Sequence, residues 1–90
     1  MSDRDLIAEV SAYLGEQLAR KRDHGALEPD TPLISSGRLS SVDVLGLVAF
    51  LEDELGVEIA AHEISADHMD TVRLVVALVA GRAGGGGGTR

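Results

Sequence analysis

Apolar residues recur at helical spacing in three stretches of the chain. In the first, Leu6, Ile7, Val10, Leu14 and Leu18 fall on one face, with Tyr13 at its edge. Ser2 can cap this helix, Asp3 and Asp5 suit the positive end of its dipole, and Arg20-Lys21-Arg22 close it with cations. The second helix is expected from Ser41 to Leu55, stopped by Gly56, and it differs in carrying two apolar stripes. Val44, Leu47, Val48, Leu51 and Leu55 form a core side. Val42, Leu45 and Ala49 lie nearly opposite, beside Glu52 and Asp53. The third runs through Ala80 with Val72, Val75, Val76 and Val79 on one side, capped by Asp70 or Thr71 and ended by Gly81. Its valine density would suit a strand, but helical spacing and the lack of a partner strand decide for a helix.

Between the first two helices, residues 23–39 make an unusually long connection, anchored by Leu27, Leu33, Ile34 and Leu39 and stiffened by Pro29 and Pro32. Such a loop reads as a strap across the bundle that lets two helices run in the same direction. Val57 and Ile59 are expected to plug one end. A short helix is expected around Glu63 to Met69, with Ile64 and Met69 turned inward. Together these elements predict an all-α four-helix bundle over residues 1–81, with three longer helices and one short one. Residues 82–90, with consecutive glycines from Gly84 to Gly88, are expected to be a disordered tail.

Ninety residues can bury only about 60% of their unfolded surface, so the core must be small. Tyr13 and Phe50 are the only aromatic residues, which leaves a yielding aliphatic interior. With no cysteine there is no disulfide, no thiolate metal site and no cysteine nucleophile, so any thiol must come from a cofactor. No signal peptide or membrane-spanning run is evident, which makes the cytoplasm the expected location. The net charge of −7 argues against nucleic acid. Residues 41–58 alone hold five acids and no base, so the second helix carries most of that charge. Its acidic face suits either basic partners or simple solvation.

The second helix also has the most informative start. Gly37 supplies a turn, Ser40 can cap, and Asp43 three residues later completes a capping box. Ser41 then sits where free backbone N–H groups and the helix dipole converge, a place that stabilises an anionic group on its hydroxyl. A nucleophilic serine would need an oriented base. His24, His62 and His68 are available, but no G-x-S-x-G elbow surrounds Ser41. His62, Asp67, His68 and Asp70 match no common metal-ligand spacing, and exposed polar residues are the better reading of them.

The run Leu33-Ile34-x-x-Gly37-x-Leu39-x-Ser41-Val42, with the acidic helix end Leu51-Glu52-Asp53-Glu54-Leu55-Gly56-Val57-Glu58-Ile59 and the later Asp70-Thr71-Val72, resembles the acyl carrier protein family over about residues 5 to 81. The resemblance implies a 4′-phosphopantetheine arm on Ser41, with acyl or aminoacyl groups carried as thioesters at its end. It implies a carrier and not an enzyme, a free-standing monomer, served by a phosphopantetheinyl transferase, a loading enzyme and downstream synthase enzymes. Val42, Asp43, Leu45, Ala49, Glu52 and Asp53 are then the expected docking residues. Ser40 stands where the family usually has Asp, and Gly46 where fatty-acid-synthesis carriers often have an acid. These departures favour a polyketide or nonribosomal-peptide pathway, with fatty acid synthesis and an unmodified interaction module as alternatives.

Overall fold

The computed structural model describes residues 2–86. The described residues form helices and no strands: α1 (Asp3–Arg20), α2 (Ser41–Leu55), a 3-10 turn (Ala61–Glu63), the single-turn α3 (Ala66–Met69) and α4 (Val72–Gly86). Ser2 opens α1 with a reciprocal box: its hydroxyl accepts from the Asp5 amide at 3.2 Å, and the Asp5 carboxylate accepts from its amide at 3.4 Å. At the far end the Asp23 amide donates to Leu18 O and the Arg22 amide to Ala19 O, with Arg22 at φ 63°. That is a Schellman closure built on arginine, where glycine would be unstrained. Gly56, at φ 68°, ends α2 in the same left-handed region.

The core is aliphatic. Leu6, Val10, Leu14 and Leu18 of α1 meet Val44, Leu47, Val48 and Leu51 of α2 and Val72, Val75, Val76 and Val79 of α4. Leu33 and Leu39 from the long loop, Val57 and Ile59 beyond α2, and Met69 complete it, while Tyr13, Leu27, Ile34 and Ile64 are half-buried around it. Helical periodicity therefore placed the core residues, except that Ile7 and Leu55 are only partly buried at its edge.

The expected direction of the helices is corrected. Lys21 at the end of α1 bonds Asp43 at the start of α2, and Tyr13 stacks on Phe50 with ring centroids 4.3 Å apart, so α1 and α2 run antiparallel. The length of the loop serves another purpose. The Leu33 amide donates to Asp70 O and the Arg73 amide to Pro29 O, so the strap ties the starts of α2 and α4 to the end where α1 finishes.

Two other boundaries differ. The expected short helix splits into the 3-10 turn and α3, with Ile64 between them. α4 continues past Gly81 to Gly86, because Arg82 donates to Leu78 O and pairs with the buried carboxylate of Glu63, fastening the extra turn. Residues 87–90 of the expected tail lie outside the described residues. Among the described residues, no helix is long and apolar enough to cross a membrane.

Candidate functional site

α2 begins on a complete capping box. The Asp43 amide donates to Ser40 Oγ at 3.2 Å, the Ser40 amide donates to Asp43 Oδ2 at 2.9 Å, and Ser40 Oγ donates to the same carboxylate at 3.0 Å. Ser40 thus performs the capping that Ser41 would otherwise compete for. Ser41, the first helical residue, is exposed, and its hydroxyl makes no protein hydrogen bond among the described residues. It stands at the positive end of a helix of 15 residues, the electrostatic setting an attached phosphate needs.

Asp43 has a second duty that periodicity could not reveal. Lys21 Nζ donates to its carboxylate and to Arg38 O, both at 2.6 Å. The Lys21 bond, with the Ser40 amide next, holds the Asp43 carboxyl below its ordinary range. Of the residues expected to dock partners, Asp43 is therefore internally neutralised. Val42 (75% exposed) and Leu45 (58% exposed) stand free in water, as do Ala49, Glu52 and Asp53. The second stripe of α2 is not covered by the strap or by another helix. Glu52 also accepts from the Ile59 amide at 3.3 Å, which leaves Asp53 as the freer of the two acids.

Gly46 has a structural reason. A β-carbon there would lie 3.1 Å from the Tyr13 hydroxyl, closer than ordinary contact, so a side chain would have to push that tyrosine aside slightly. Burial, with Asp43 nearby, raises the pKa of that phenol.

Beside Ser41 opens a cleft of about 550 Å³, walled by Ile34 and Leu39 of the strap, Val44 and Leu45 of α2, and Ile64 and Ser65 ahead of α3. Neither its apolar walls nor their closeness to Ser41 was visible in the sequence, because they come from three separated segments. Asp70 was also missed in its main role. Thr71 caps α4 by accepting from the Leu74 amide, while the Asp70 carboxylate reaches back to the strap. Glu63, buried against Arg82 and the Ala60 amide, had no local signal either. His68 contacts Ser65 and lies away from any group of three or more candidate metal ligands, none of which occurs among the described residues.

No curated protein gives a significant match. A family model described as the phosphopantetheine attachment site matches residues 5–79, which takes in all but the first two residues of α1, the strap, α2, the cleft walls and the first half of α4. With the helical bundle that this family requires already in place, the chain belongs to the phosphopantetheine-attachment family and is a carrier domain for covalently bound 4′-phosphopantetheine.

Proposed function

We propose that the arm is attached to Ser41 and that the protein tethers acyl or aminoacyl thioesters for a polyketide or nonribosomal-peptide type pathway. The observation that carries this reading is the division of labour at the start of α2: Ser40 caps, which frees the exposed Ser41 hydroxyl to be the modified group. The protein itself does no chemistry. It holds the intermediate on a flexible tether and raises its effective concentration at each partner. Those partners are a phosphopantetheinyl transferase, a loading enzyme and the synthase enzymes that follow. They dock on Val42, Leu45 and Ala49, with Glu52 and Asp53 giving the approach its charge selectivity. The cleft gives an apolar portion of the cargo a place beside its attachment point. Ser40 and Gly46, at positions where fatty-acid-synthesis carriers often have acids, support the specialised pathway over fatty acid synthesis.

Intact-mass analysis after treatment with a promiscuous transferase and coenzyme A tests the assignment. One phosphopantetheine should appear on the peptide containing Ser41, and Ser41→Ala should abolish it completely while leaving the melting temperature unchanged. Modification that survives in Ser41→Ala but is lost in Ser40→Ala would move the site by one residue.

A further inference from the structure

The two walls of the cleft come from parts of the chain about thirty residues apart, and one carboxylate joins them. Asp70 Oδ1 accepts from three consecutive strap amides: Leu33 at 3.1 Å, Ile34 at 2.7 Å and Ser35 at 2.8 Å. Its Oδ2 accepts from the Ser35 hydroxyl at 2.7 Å, and its own carbonyl accepts from the Leu33 amide at 2.8 Å. The shortest of the amide bonds belongs to Ile34, whose side chain forms the strap wall of the cleft. Ile64 and Ser65, which form the opposite wall, lead into α3, and Asp70 ends that same segment.

A second tie exists between Arg73 and Asp30 at 2.7 Å, but those side chains are 60% and 72% exposed. An ion pair in water contributes little, whereas charge-assisted bonds to the part-buried Leu33 and Ile34 amides are stronger and orient what they hold. The four donors also hold the Asp70 carboxyl below its usual range, the Ser35 amide foremost, so it remains the charged acceptor at neutral pH.

We propose that Asp70 is a positioning residue for the cargo: by fixing Ile34 against the α3 side, it sets whether a chain on the arm is sheltered in the cleft or left in water. The inference rests on attachment at Ser41. Without this carboxylate the Ile34 and Ser35 amides would lose their partner, while the Leu33 amide keeps its bond to the Asp70 carbonyl and Leu33 and Leu39 stay buried, so the strap would remain attached but its Ile34 wall would be free to shift.

The test uses the full chain loaded from acetyl- or octanoyl-coenzyme A by a transferase, followed by thioester cleavage with hydroxylamine. The octanoyl thioester should react several-fold more slowly than the acetyl one in the natural protein. In Asp70→Ala that ratio should fall to unity. Asp70→Asn keeps an oxygen for the three amides and should give an intermediate ratio. Hydrogen exchange on the unloaded proteins reports the strap itself. The Ile34 and Ser35 amides should exchange roughly tenfold or more faster in Asp70→Ala, as loss of a charge-assisted bond implies.

An acetyl-to-octanoyl ratio unchanged in either variant while those amides exchange faster overturns the proposal, as does equal reactivity of both thioesters in the natural protein. If Asp70→Ala does not fold, Asp70→Asn carries the same reading alone. Failure of the carrier reading looks different: no mass is gained at Ser41 in any variant, and the cleft then has no cargo to shelter.

Discussion

α1 and α2 both begin on a serine capping box, Ser2 with Asp5 and Ser40 with Asp43, and both lead into a residue in the left-handed region, Arg22 and Gly56. They diverge in what lies outside the core. α1 turns polar and charged side chains to water and exposes no large hydrophobic residue, whereas α2 exposes Val42 and Leu45. The capping carboxylate of α2 is further clamped by Lys21 from the end of α1. The same local code therefore builds a helix with a polar outer side in one case and one with an exposed apolar stripe in the other. Exposed apolar area on a helix whose start is doubly secured can be kept for partners, since it is not needed to hold the helix in place.

The largest stability contrast lies within α2. Leu47→Ala removes a fully buried side chain and should cost about 2–5 kcal/mol in urea unfolding, while Leu45→Ala should stay within about 0.5 kcal/mol and weaken partner processing. A large loss on Leu45→Ala would make α2 a core helix on both sides and erase the contrast.

Next come the two capping acids. Asp43→Ala removes the carboxylate half of the capping box and the Lys21 bond together and should cost about 1–2 kcal/mol, more than Asp5→Ala, in which only the bond from the Ser2 amide is lost. Because the Asp43 pKa is lowered by folding, its contribution is fully present above the unfolded carboxylate value. It disappears as pH falls through the folded one. Acid titration of the natural protein against Lys21→Met should show the larger loss in the natural protein, starting at the same pH and continuing to lower pH; identical acid profiles would show that Lys21 does not secure α2.

The helix ends supply a smaller pair of opposite signs. Arg22→Gly should stabilise by about 1 kcal/mol and Gly56→Ala destabilise by a similar amount, since a β-carbon at Gly56 meets no neighbour and the cost is conformational alone. Melting temperatures of both variants check this directly.

The smallest effect is expected at Ser40. Capping preference alone makes Asp its equal. The structure changes that expectation, because Ser40 Oγ donates to the Asp43 carboxylate at 3.0 Å and a second carboxylate there could only accept. Ser40→Asp should lose less than about 0.5 kcal/mol, with Lys21 offsetting the repulsion, while speeding modification by a transferase tuned to Asp-Ser carriers. A gain in stability would show that the hydroxyl bond is of no account.

The sequence by itself determined the three long helices, the serine caps of α1 and α2, the core faces and the exposed serine at the start of α2. Each of these is a local property: a cap acts within one turn, and a buried face repeats every three to four residues. Leu14, Leu47 and Val75 could be placed in the core without knowing what they touch. Tertiary structure alone decided that α1 and α2 are antiparallel, that Lys21 clamps Asp43, that the Tyr13 hydroxyl crowds Gly46, and that Glu63 holds Arg82 and so prolongs α4. It also turned Asp70, which reads as one more helix-start residue, into the tie between the cleft walls. These pairings span 19 to 37 residues, and no periodicity connects their members. A carboxylate's partner at that distance is chosen by how the packed helices bring backbone and side chains together, and only the folded chain holds that information.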